Sequence, residues 1–197
     1  MNSQRAETYI IDQLRQGLPP TLTYHSIEHT LDVVRAATQL ADAEGITDPD
    51  ARALLHTAAL YHDAGFLSTY ADHERAGCTL VRQTLPDFGY TPDQIGQICE
   101  LIMATRVPQR PQTHLAQILC DADLDYLGRP DVELIARTLF TELVTHRGLT
   151  DEPTWNRIQV SFLETHHYWT ATAQNRREPA KQTYLDQLRR LIGSDKA

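Results

Sequence analysis

No run of about 18 apolar residues occurs in the sequence, which argues against a membrane-spanning helix. Cysteine is scarce. Cys78, Cys99 and Cys120 are widely spaced and odd in number, and no Cys-x-x-Cys pair is present. This speaks against a disulfide framework or a zinc–thiolate site and predicts buried free thiols in a reducing compartment. Basic residues are outnumbered, with 18 Lys and Arg against 26 Asp and Glu and a formal net charge of −8. Such a balance disfavours a protein that grips a nucleic-acid backbone, so no duplex partner is predicted. A small anionic substrate remains compatible, because a bound metal supplies local positive charge. The opening "MNSQRAETYIIDQLRQ" lacks the apolar stretch of a signal peptide. The expected location is therefore cytoplasmic, without membrane attachment.

Alternating strand patterns with hairpin turns are missing as well. So are internal repeats, low-complexity tracts and linkers. At 197 residues the chain predicts one domain spanning 1–197, with a core at about 22–130 and C-terminal helices completing the bundle. What is present is helical periodicity. Tyr9, Ile10, Leu14 and Leu18 recur in a first helix that stops at Gly17 and the Pro19-Pro20 pair. Ile27, Leu31, Val34, Thr38 and Ala41 predict one apolar face of a second. Asp48-Pro49 and Thr91-Pro92 are N-cap and first-turn pairs. Gly65 is read as the end of the helix begun at Asp48, and Pro86 with Gly89 as the end of another. Beyond the Pro-rich "VPQRPQ" loop, the C-terminal region is split into a segment ending at Arg177 and a last helix from Glu178. The expected fold is all-α, a compact bundle of about eight to ten helices.

Several chemically active residues fall inside this apolar pattern. "YHSIEHT" places His25 and His29 four apart at a helix start. "ALYHDAGF" places His62 and Asp63 at a helix end, just before Gly65. "ILCDADLDYLG" sets Asp121, Asp123 and Asp125 among Leu119, Leu124 and Leu127. Carboxylates in so apolar a run are costly to bury unless paired or metal-bound. Two imidazoles and two carboxylates form a mixed nitrogen and oxygen set suited to a divalent cation, with coordination positions left for water and substrate.

The order His29, then His62-Asp63, then Asp123 resembles the HD superfamily of metal-dependent phosphohydrolases, an all-α family with the signature H…HD…D. The resemblance runs from about Tyr24 to Gly128 and rests on "YHSIEHTLDVV", "AALYHDAGF", "DHERAG" and "CDADLDYLGR". It implies His29, His62, Asp63 and Asp123 as metal ligands. Asp123 is chosen over Asp121 because it lies between a small residue, Ala122, and the longer Leu124. It further implies one divalent ion per chain, of a kind (Mn, Mg, Fe, Co, Ni or Zn) the sequence does not name. "YHSIEHTLDV" also resembles the cyclic-nucleotide phosphodiesterase branch, which implies a general acid at His25. Branches with two metals place a histidine near His73, but supply another where this chain has Thr105-Arg106. One metal is therefore expected, with His73 on the substrate side and Arg106 as a phosphate clamp.

The resemblance thus implies hydrolysis of a phosphate ester of a nucleotide or related small molecule. Asp63 would bind metal and accept a proton, with Glu74 as a spare base. The alternative is a non-catalytic module of this fold that binds a nucleotide or metal for signalling. An oxygenase requires two metals and is disfavoured. His166 and His167 point about 100° apart on a helix, so packing rather than joint ligation is expected. Arg176, Arg177 and Lys181 either form a basic rim of the pocket or face solvent, and the aromatic cluster near Trp169 is a candidate homodimer patch.

Overall fold

A computed structural model describes residues 1–194. Among them are nine α-helices and no strand, as the periodicity predicts. The helices are α1 (Ser3–Gly17), α2 (Ile27–Ala43), α3 (Pro49–Tyr61), α4 (His73–Thr84), α5 (Pro92–Ala104), α6 (His114–Asp123), α7 (Val132–Arg147), α8 (Glu152–Thr165) and α9 (Ala171–Ser194). Short 3-10 turns follow three of them, at Ala64–Leu67, Leu85–Phe88 and Asp125–Gly128.

The start signals act as read. Asp48 accepts a hydrogen bond from the Ala51 N–H at 3.0 Å, with Pro49 in the first turn. Thr91 and Gln94 form a capping box on either side of Pro92. Ser26 caps α2, fixing the direction in which His29 leaves the first turn.

The buried face of α2 differs from the expected one. It is Thr30, Val33, Ala36, Ala37, Leu40 and Ala41, one stripe round from Ile27, Leu31, Val34 and Thr38. Alanines on this stripe let α2 lie close to both α3 and α6. His29 is on the same side as Val33, one turn earlier.

A large apolar cluster joins α1 to α6, and a second gathers Tyr24, Leu124, Tyr126, Leu163 and Tyr184. Ala122 belongs to the first and Leu124 to the second, so Asp123 sits on the seam between them. The three cysteines are buried and form no disulfide.

Two boundaries depart from expectation. α3 stops at Tyr61, and Gly65 lies inside the following 3-10 turn rather than at a helix end. Its role is close approach: a Cβ there would stand 1.8 Å from the His73 carbonyl oxygen at the start of α4. Further on, the C-terminal break falls at His166–Thr170, and Pro179 lies inside α9. Asp121 explains the break. Its carboxylate accepts from the N–H groups of Trp169 and Thr170, both at 2.8 Å, and from the Thr170 hydroxyl at 2.7 Å. An internal proline costs about 3 kcal/mol; contacts on either side of it offset that cost. Arg177 makes two hydrogen bonds to Asp125, at 2.7 and 3.0 Å, and Lys181 pairs with Glu178 at 2.9 Å.

Gly65→Ala is expected to force α4 away from the His62-Asp63 turn, destabilising the protein by about 1–3 kcal/mol or more. At Gly96, in α5, a Cβ would meet nothing within 4 Å. Gly96→Ala should be neutral or stabilise by about 0.4–1 kcal/mol. Urea titration of both variants checks this; equal effects would contradict the close-approach account.

Candidate metal centre

Three elements bring the ligand candidates together. His29 comes from the first turn of α2, His62 and Asp63 from the end of α3, and Asp123 from the last residue of α6. His29, His62 and Asp123 each offer a ligand atom within 4.8 Å of the others. The Nε2 atoms of His29 and His62 are 3.4 Å apart. Asp123 Oδ1 lies 3.2 Å from the first and 3.4 Å from the second. Asp63 Oδ2 joins them at 3.1 Å from His62 Nε2 and 3.5 Å from His29 Nε2. Asp121 points elsewhere, into its helix-capping bonds.

The residues fit a divalent cation on their own chemistry. Asp63 Oδ2 is fully buried and makes no hydrogen bond; a carboxylate oxygen so placed is expensive without a cation. His62 Nδ1 faces the Ala59 carbonyl at 2.8 Å. That bond takes the Nδ1 proton and directs Nε2 at the cluster, as in ligating histidines. Burial opposes charge on His62, but Asp63 and Asp123 outweigh it and hold its pKa well above the ordinary value. For Asp123, burial raises the pKa, and His29 and His62 more than reverse it, down to about 2. Asp63 is likewise held well below the usual range, with burial overcome chiefly by His62. A positive charge is thus favoured at this point, carried by protons when no cation carries it.

His73 and Glu74 form the next layer. His73 Nε2 is 3.3 Å from Asp63 Oδ1 and 3.6 Å from Glu74 Oε1, and its ring stacks on Phe66 with centroids 4.0 Å apart. His114 pairs with Glu44 at 3.0 Å, remote from this cluster. Arg106 lines the cavity but is exposed and tied to Asp72 at 2.7 Å. The expected basic rim does not form at the cavity. Arg177 is engaged by Asp125, and Lys181 is buried, donating to the His166 carbonyl at 2.7 Å. His166 and His167 pack on Tyr168 and Trp169, with centroids 4.8 and 4.3 Å apart.

Sequence reasoning missed Glu142. It is completely buried on α7, and its hydrogen bonds to Tyr24, His25 and Tyr70 tie it to the site. Oε2 accepts from the N–H groups of Tyr24 and His25, at 2.9 and 3.0 Å. Oε1 accepts from the Tyr70 hydroxyl at 3.1 Å and meets His25 Nδ1. Burial pushes the His25 pKa down, but the Glu142 hydrogen bond and nearby carboxylates raise it above the ordinary value. The available signal was an acid at apolar helical spacing, three residues after Leu139.

His25, Asp63, His73 and Asp123 open onto a cavity of about 560 Å³ that continues between α7 and α8. No helix among the described residues is long and apolar enough to cross a membrane.

Two solved structures share this architecture over nearly their whole length. One is of a predicted HD superfamily hydrolase from an uncultured Thermotogales bacterium, with 24% identity and a TM-score of 0.62, covering 95% of this chain and 91% of that one. The other is Bacillus subtilis YpgQ in complex with ADP, with 19% identity and a TM-score of 0.62, covering 96% of each chain. At these identities the likeness shows the fold. No curated protein matches the sequence. The HD domain family model matches residues 26–125, the stretch that carries His29, His62, Asp63 and Asp123. With half of the chain matched and its histidine–aspartate order reproduced in space, the protein belongs to the HD domain family.

Proposed function

We propose that the protein is a metal-dependent phosphohydrolase acting on a phosphate ester of a nucleotide or related small molecule. The observation that carries this reading is the convergence of His29, His62 and Asp123, with the buried Asp63 carboxylate against the same imidazoles, beside a histidine held by a buried glutamate. The ADP bound to YpgQ supports a small phosphorylated ligand. In this reading 1–197 acts as one domain, and the C-terminal helices supply the far wall of the cavity.

His29, His62, Asp63 and Asp123 would hold one divalent cation. When bound, such an ion supplies Lewis acidity toward a phosphoryl oxygen and lowers the pKa of water. The chain's own residues do the rest. Asp63 orients water through its carboxylate and accepts a proton from it. Water oxygen bonds to phosphorus, the bond from phosphorus to the ester oxygen breaks, and His25 gives its proton to the departing oxygen. Glu142 keeps that proton available by raising the His25 pKa and fixing its ring. His73, stacked on Phe66, steadies Asp63 from the substrate side. Arg106 approaches the phosphate only by exchanging its Asp72 partner.

Two pairs of variants test the assignment. Asp123→Asn should lose the metal and activity with helical content intact. Asp121→Asn should keep the metal and instead lower stability by about 1–3 kcal/mol, the cost of disturbing a buried acceptor. Elemental analysis and thermal unfolding separate the two, and equal metal loss would refute the choice of Asp123.

His25→Ala should keep the metal and lose roughly 10²–10⁴-fold in rate on an alkyl ester, with a much smaller loss on a nitrophenyl ester, whose leaving oxygen needs no proton. Glu142→Gln should retain His25 but lower its pKa. The protonated fraction then falls at lower pH, so the alkaline limb of kcat/KM moves down the pH scale. A pH profile identical to the parent would remove Glu142 from this role.

A further inference from the structure

The cavity is not uniform. Its charged end is built by His25, Asp63, His73 and Asp123, with Arg106 and Arg147 near the mouth. Arg147 lies over the Tyr70 ring at 5.2 Å. The other end runs between α7 and α8 and is walled by Leu124, Leu127, Leu139, Leu143, Ile158 and Phe162. Leu139, Leu143 and Phe162 are only partly buried although they lie within the fold, and Ile158 is 44% exposed. Among the described residues these apolar surfaces are left uncovered, in continuity with the candidate metal centre.

The Tyr184 and Gln159 side chains on this arm are engaged with groups of the fold. Tyr184 donates to Gln159 Oε1 at 2.7 Å, and Gln159 Nε2 donates to Asn156 at 3.2 Å. Tyr24 and Tyr126, which also line the cavity, hydrogen-bond to each other. The lining past Leu124 is therefore mostly hydrocarbon, with few partners for sugar hydroxyls. A hydroxyl placed there loses its hydrogen bonds to water without replacement, which is unfavourable. Apolar carbon placed there gains by leaving water.

We propose that the substrate is an amphiphile: a phosphate ester whose alcohol is an apolar aliphatic or aromatic group. The phosphate lies at the charged end and the hydrocarbon extends past Leu124 between α7 and α8. This rests on the phosphohydrolase reading and replaces its nucleotide with an apolar ester, because a nucleotide would put ribose hydroxyls against Leu124 and Leu127 on the way to the base.

The test is kcat/KM of the manganese-loaded protein on methyl, butyl and hexyl phosphate and on ribose 5-phosphate, all with alkoxide leaving groups. The expected result is a rise of about fourfold per methylene, with ribose 5-phosphate below butyl phosphate. Leu139→Gln and the surface variant Ile158→Glu should each reduce the ratio of hexyl to methyl turnover at least tenfold. Equal kcat/KM across the series, or preference for ribose 5-phosphate, overturns the amphiphile assignment while leaving phosphohydrolysis standing. Absence of turnover on every ester overturns phosphohydrolysis instead. Calorimetric binding of butyl- and hexylphosphonate then decides the arm: affinity rising with chain length supports it, and equal affinities overturn it.

Discussion

Asp63 and Asp123 are carboxylates held inside a helical bundle against two imidazoles, and much of the architecture follows from that constraint. Charges removed from water must be compensated at short range. The compensation here comes from the ends of three helices, the start of α2 and the ends of α3 and α6, which are held in register because the same helices also pack along their sides. Ser26 sets the entry into α2, Gly65 brings the end of α3 against the start of α4, and Asp121 ties the α9 entry to α6. Each lies within three residues of a candidate ligand. Local fold determinants and the site are therefore the same stretches of sequence.

The second arrangement is the His25–Glu142 pair. Glu142 gathers two backbone N–H groups, a tyrosine hydroxyl and an imidazole on one buried carboxylate. It fastens the "YHSIEHT" loop to α7, a helix more than 100 residues later, and so links the family core to the wall of the cavity. Because α7 also presents Leu139 and Leu143 to the apolar arm, the helix that positions His25 also shapes the space for the organic part of a substrate.

Much of this was legible in the sequence, for physical reasons. Caps are local, so Asp48-Pro49 and Thr91-Pro92 announced their helices. A His-Asp doublet and an aspartate within "CDADLDYLG" stand out because charge in an apolar run needs a partner. Legibility failed where the cause lies across the fold. Gly65 reads as a stop, yet it is required by the His73 carbonyl. Pro179 reads as a boundary, yet Arg177 on Asp125 and Lys181 on the His166 carbonyl anchor the helix on either side of it. Those two cations, read as a pocket rim, are consumed by Asp125 and Glu178. The α2 stripe was misplaced because small alanines, rather than the larger Ile27 and Leu31, permit close packing. The apolar arm has no local signature, since its walls are ordinary helix faces that fail to meet.

The central claim is that His29, His62, Asp63 and Asp123 form one cation site. A crystal structure of the manganese-loaded protein, with anomalous scattering recorded near the manganese edge, tests it most directly. The account predicts one anomalous peak per chain, bounded by these four side chains, with His73 and Glu74 outside the ligand set. A peak held elsewhere, or a second one of equal height on His73 and Glu74, would contradict it.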